Sequence, residues 1–166
     1  MPTYTDREIL KNRQIGTAAD YGMAADPATT VGALHTFYAT ISKAADAMAS
    51  TTTAVTVTPP APCPVKCIVK AVKLYGLAAV AADNTDYITA TISYYDSTGG
   101  NAVTVAVYDS RAANAGALTA FAEKACTLTV ANAVCAASGT FTLTVAKGGS
   151  GKVLPACTFT IFCEAI

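Results

Sequence analysis

Thr140-Phe141-Thr142-Leu143-Thr144-Val145, followed by Gly148-Gly149-Ser150-Gly151-Lys152 and then Cys157-Thr158-Phe159-Thr160-Ile161-Phe162-Cys163, decides the fold class. Side chains in a strand alternate faces. In the first run Phe141, Leu143 and Val145 therefore share one face, and Thr140, Thr142 and Thr144 the other. In the second, Cys157, Phe159, Ile161 and Cys163 lie opposite Thr158, Thr160 and Phe162. Two half-buried strands bracket a Gly-rich turn, and the simplest reading joins them as a terminal hairpin whose apolar face is core.

Working back from that end, the same period recurs. Leu34 to Ile41, Ala54 to Thr58, Val65 to Tyr75, Tyr87 to Asp96, Ala102 to Asp109 and Ala125 to Val130 all read as short strands. Ser97-Thr98-Gly99-Gly100-Asn101 has the composition of a hairpin loop. Asp83-Asn84-Thr85-Asp86 reads as a turn, because Asp and Asn side chains bond their own backbone. Val103, Val105 and Val107 are expected inward. Cys126 is in phase with Leu128 and Val130. Ser110 to Ala125 is left open between a short helix through Leu118, Phe121 and Ala122 and a strand fragment at 119–121. Pro59, Pro60, Pro62 and Pro64 end the second strand and place that run at a sheet edge or in a crossing loop, since proline cannot donate to a ladder. Roughly eight short strands with regular turns predict an all-β domain, a β-sandwich or jelly-roll-like fold.

Residues 1–33 do not share this pattern. Asp6 to Gln14 could form a short helix anchored by Ile9 and Leu10, and Thr17 to Thr30 holds only Tyr21 and Met23 as sizeable apolar groups. Too few large side chains are present to offset the entropy of ordering. The layout is therefore an extended N-terminal arm over 1–33 and a β-sandwich domain over 34–166.

Composition limits the function. The chain of 166 residues is 52% hydrophobic and 13% charged, with Lys+Arg and Asp+Glu both at 11. Mean hydropathy is +0.40, a figure raised by small alanines. Zero net charge gives no bulk attraction to nucleic acid or an anionic membrane, and weak colloidal protection suits a protein attached to something larger. No apolar run reaches the ~20 residues a bilayer span needs. The first residues carry mixed charges and lack the apolar block of a secretory signal.

Catalytic and metal chemistry finds little to work with. His35 is the only histidine and lies mid-strand, away from any nucleophile motif. Gly148 to Lys152 resembles a phosphate loop only loosely. Ala146 stands where that motif wants Gly, Val153 where it wants Ser or Thr, and a strand follows instead of a helix. Asp83, Asp86, Asp96 and Asp109 lack calcium-loop spacing. Cys63 and Cys67 are close enough for a metal knuckle or a disulfide, but Cys157 and Cys163, which would complete a zinc site, are separated by a strand. The reading preferred for the six cysteines is buried thiols acting as small hydrophobes. No catalytic, cofactor-binding or metal residues are assigned, and an enzyme is not expected.

One resemblance goes further. Pro64 to Leu74, the run Ala78-Ala79-Val80-Ala81-Ala82-Asp83-Asn84-Thr85-Asp86-Tyr87 and the strand Thr89-Ala90-Thr91-Ile92 resemble a module of tailed-phage structural proteins. So do Ala136-Ala137-Ser138-Gly139, Lys147 to Gly151 and Leu154-Pro155-Ala156 before the last strand. The similarity spans about Ala54 to Glu164. It implies a jelly-roll-like capsid decoration (cement) protein, made in the host cytoplasm and carried on the virion exterior. The implied partner is the major capsid protein, and a homotrimer is the expected state. Capsid-contact candidates are Tyr4, Arg7, Ile9, Leu10, Arg13, Tyr21 and Met23 in the arm, with Pro59 and Pro60. The alternative is a head- or tail-fibre module binding host glycans, for which Tyr94, Tyr95 and Tyr108 would supply an aromatic platform.

Overall fold

The computed structural model describes residues 36–44, 54–100, 102–114, 116–150 and 152–166. The arm expected over 1–33, the short helix expected at Asp6 to Gln14, and His35 lie outside the described residues.

Ten strands form two antiparallel sheets. They are β1 (Thr36–Lys43), β2 (Val55–Cys63), β3 (Cys67–Gly76), β4 (Tyr87–Tyr95), β5 (Val103–Asp109), β6 (Glu123–Ala125), β7 (Thr127–Leu128), β8 (Val134–Cys135), β9 (Gly139–Gly148) and β10 (Cys157–Ala165). One sheet runs β1-β10-β3-β6, with β8 also on β3; the other runs β2-β9-β4-β5-β7. Among the described strands, β4 and β5 alone are consecutive neighbours within one sheet. Nearly every other connection crosses between the sheets. This is the strand order of a jelly roll, in which the short β6 and β8 together fill the place of one edge strand. The chain is an all-β sandwich.

The two strands that opened the reading are not a hairpin. β9 pairs with β2 and β4, whereas β10 pairs with β1 and β3 in the opposite sheet. The Gly-rich stretch is a crossing loop. The reason is physical: each strand has one wholly apolar face, and pairing edge to edge would leave both faces needing cover. Placed in opposite sheets, Phe141, Leu143 and Val145 of β9 and Phe159 and Ile161 of β10 are all fully buried in one core. Burial of each such side chain contributes roughly 1.5–3 kcal/mol.

Three bulges set which residues face inward. Between β4 and β5 the register shifts after Ile92, so that Ile92 meets Ala106 and Ser93 meets Thr104. An extra residue turns every later side chain to the other face. Val107 consequently leaves the core, contrary to the alternation, and Ala106 and Tyr108 enter it. A second bulge, at Phe162/Cys163, leaves Lys70 of β3 without a cross-strand partner and points it outward, where it pairs with Glu164 at 2.8 Å. The third lies between Val57 and Ala61. There β2 absorbs Pro59 and Pro60 and resumes pairing at Ala61, so the strand runs on to Cys63 instead of ending at Thr58. Its place at the sheet edge is what makes the prolines tolerable.

The weakly patterned segment 110–133 is neither a full helix nor a single strand. It has a 3-10 turn at Ala112–Asn114, an isolated bridge between Leu118 and Val80, and β6 and β7 divided between the two sheets. Val130, placed inward by phase with Leu128, is 77% exposed in a second 3-10 turn.

Burial also makes the fold sensitive to alkali. The Tyr108 hydroxyl donates to the Gly116 carbonyl at 2.8 Å. Burial, with the nearby Cys126 and Asp109 adding to it, pushes this phenol up to about 12. Burial likewise pushes the Cys126 thiol up to about 12. Both groups are raised, so their contribution is intact below their ordinary values of 10.0 and 9.0 and is lost as pH climbs towards 12. The denaturation midpoint is expected to drop as pH rises from about 9 to about 12, and Tyr108→Phe should flatten part of that drop. A midpoint unchanged over that range would contradict this assignment.

Candidate functional site

The turn acids are occupied in holding loops. Asp83 accepts the backbone N–H of Thr85 at 2.9 Å and of Asp86 at 3.3 Å, and those bonds hold its carboxyl below the usual range. Asp96 accepts the Thr98 and Gly100 amides. Asp86 accepts the Ser150 amide at 2.7 Å, which fixes the Gly-rich loop at Gly149, where φ is +63. Lys152, the residue a phosphate loop would aim at a nucleotide, instead donates to the Ala81 carbonyl at 2.8 Å. Asp109 forms a two-pronged ion pair with Arg111 and also accepts from Asn114. Burial works to raise Asp109, but the Arg111 guanidinium, the Arg111 amide and Asn114 outweigh it and hold the carboxyl low. Among the described residues no three His, Cys, Asp or Glu side chains are grouped to hold a metal ion.

The aromatic platform expected on the β4–β5 side is mostly core. Tyr94 is 5% exposed and its hydroxyl donates to the Ala136 carbonyl at 2.8 Å, against Gly139, where any Cβ would lie 2.2 Å from the Tyr94 oxygen. Tyr108 is buried as described above. Only Tyr95 keeps partial access. The bulge after Ile92 explains Tyr108; Tyr94 is inward by simple alternation with Ile88, Ala90 and Ile92.

The outer face of the β1-β10-β3 sheet is different. Antiparallel register lays its outward residues in rows: Tyr38 beside Phe162, Thr40 beside Thr160 and Lys73, and Ser42 beside Thr158 and Tyr75. Tyr38 is 61% exposed and meets Phe162 edge to face, with ring centres 4.9 Å apart. The Lys73 ammonium stands 5.1 Å from the centre of the Phe162 ring and pairs with Glu123 at 2.8 Å. Tyr75 donates to the same carboxylate at 3.0 Å, and Lys73 and Tyr75 together hold Glu123 below its usual value. Salt bridges, a cation–π contact and an aromatic pair thus fix the side chains without covering them.

At the Tyr75 end this face runs into a cleft of about 640 Å³ bordered by Ser42, Tyr75, Leu77, Phe121, Ala156 and Thr158. Leu77 is 61% exposed and Phe121 79%. Phe121 has φ of +58, a left-handed conformation unusual for a bulky residue, and its amide is tied to the Gly76 carbonyl at 2.9 Å. A phenylalanine held in that backbone state with its ring in solvent is costly unless something uses it. The result is a broken apolar stripe, Tyr38–Phe162 on the face and Tyr75–Leu77–Phe121 at its end, with the polar row Thr40–Thr160–Lys73 between the two parts.

Pro59 and Pro60 are exposed on β2, the edge strand of the other sheet, which runs beside β1. The remaining contact candidates, Tyr4, Arg7, Ile9, Leu10, Arg13, Tyr21 and Met23, lie outside the described residues. The sequence pointed to the prolines but not to the stripe. Phe162 and Tyr38 carried a signal, as aromatics in phase with threonines on a solvent face. Leu77 and Phe121 carried none, because loop residues have no period.

Comparison of the chain with protein-family models, with curated proteins and with solved structures returns no match.

Proposed function

We propose that this chain is a structural protein of a tailed phage, a decoration protein that binds between major capsid protein subunits on the outside of the particle and stabilises the shell. The observation that carries the reading is the fixed, uncovered apolar stripe on a net-neutral jelly roll. Such a stripe is poorly suited to a free monomer and well suited to burial in an interface. Interfaces draw most of their energy from a few desolvated aromatic anchors, and about 800 Å² per partner is the usual scale. Jelly rolls recur in viral shells and in lectins, so the fold admits this role without requiring it.

In this reading the jelly roll is the rigid head. Tyr38 and Phe121, together with the exposed Pro59 and Pro60, contact a capsid subunit or a second copy of the chain, and residues 1–33 reach along the shell. A homotrimer at local threefold positions satisfies the closed symmetry usual for homo-oligomers. The test is the number of copies per particle: hundreds, on the shell, support the reading, whereas a few copies on a fibre overturn it.

A further inference from the structure

Four of the six cysteines meet at one end of the sandwich. Cys63 closes β2, Cys67 opens β3, Cys135 ends β8 and Cys163 lies near the end of β10. Cys67 stands directly opposite Cys135, and Cys163 is paired two residues away, with Val69. All four are free thiols with at most 2% exposure. Elsewhere in this core small volumes are filled by alanine, as at Ala39, Ala61, Ala90 and Ala106. A thiol used four times in one place brings redox chemistry that alanine lacks.

The arrangement favours a sulfur–sulfur bond over a metal. The Cys63 and Cys67 sulfurs contact each other directly, while the Cys135 and Cys163 thiols donate to the Ala133 and Ile161 carbonyls. A metal shell would instead leave its centre for the ion, and no such group is present among the described residues. The closest pair is Cys63 and Cys67, whose sulfurs are 3.6 Å apart. They face each other across the short turn Pro64–Lys66, which carries the chain from one sheet to the other. Bonding distance is about 2.05 Å, so closing the disulfide requires the sulfurs to approach by roughly 1.5 Å.

We propose that Cys63 and Cys67 form a peroxide-responsive dithiol that closes to an intramolecular disulfide, joining the end of one sheet to the start of the other. Cys67 is the attacking sulfur. The Cys63 thiol donates toward the Val65 and Ala136 carbonyls at 3.3 and 3.5 Å, contacts that favour its protonated form, whereas the Cys67 sulfur contacts Cys63. The Cys67 thiolate attacks one peroxide oxygen and breaks the O–O bond, leaving a sulfenic acid and releasing hydroxide, which takes up the proton Cys67 lost. The Cys63 sulfur then displaces the sulfenic hydroxyl. That hydroxyl leaves as water with the Cys63 proton. Overall, two thiols and one hydrogen peroxide give one disulfide and two waters, with two electrons passing from sulfur to oxygen. Because the closed loop is short, the effect is local fixation of the turn more than global stabilisation. The proposal does not rest on the capsid reading.

Trypsin offers a direct readout, since Lys66 separates the two cysteines. The full-length folded protein is treated with hydrogen peroxide, its remaining thiols are alkylated under denaturing conditions, and the digest is mapped. The expected result is a peptide over Ala44–Lys66 joined by a disulfide to Cys67–Lys70, released by dithiothreitol, with Cys126 and Cys157 alkylated. Cys67 joined to Cys135 or Cys163, six alkylated thiols after peroxide, or stoichiometric zinc in the protein as purified would each overturn it.

Discussion

Phe159→Ala is expected to destabilise the protein by about 3–5 kcal/mol, measured as a lowered urea midpoint with an unchanged slope. Phe159 is fully buried on β10, a central strand, and is flanked in register by Ile41 of β1 and Leu74 of β3. Its ring fills the space between the sheets, and neither sheet can close over the void without breaking pairing on both sides of β10. Folded domains hold only about 5–15 kcal/mol in total, so this one change removes a large share. Thr160→Ala, next along the same strand but facing out, should stay within about 0.5 kcal/mol. Equal losses for the two substitutions would contradict the assignment of faces on which the sandwich rests.

The second large effect concerns attachment. Removing residues 1–33 is expected to abolish binding to capsids while leaving the jelly roll folded, since its first strand begins at Thr36. In the full chain, Phe121→Ser should weaken binding about 30-fold, the loss typical of an interface anchor worth about 2 kcal/mol. Lys70→Ala, whose charge sits in an exposed pair with Glu164, should change it little. Co-sedimentation with capsids lacking the protein reads all three. Full binding by the truncated chain would remove the arm from the account, and full binding by Phe121→Ser would remove the stripe.

Much of the fold was legible because burial writes a period into strands. Phe141, Leu143 and Val145, or Phe159 and Ile161, announce an inward face whichever sheet they join. Which strand pairs with which is not written there: the alternation of β9 and β10 is the same for a hairpin as for two strands facing each other across a core. The bulges were equally hidden, because one extra residue after Ile92 reverses the phase without altering composition, and that reversal buries Tyr108. The turn acids could be read, since Asp83 and Asp96 act within a few residues of themselves. The stripe could not, because Tyr38, Phe162, Leu77 and Phe121 are brought together by pairing between distant segments. The four-thiol cluster was missed for the same reason. Sequence spacing offered Cys157 and Cys163 beside Cys63 and Cys67 only to argue against such a site, whereas the fold brings Cys135 and Cys163 to them.

The proposed function places this chain on a viral shell with its apolar stripe buried there. A reconstruction of the particle, into which the jelly roll is fitted, tests it most directly by counting and locating the chain together. The account predicts density for hundreds of copies on the outer capsid surface, clustered about local threefold positions, with Tyr38 and Phe121 against a neighbouring subunit. Absence from the shell, or a shell position with that stripe facing solvent, would contradict it.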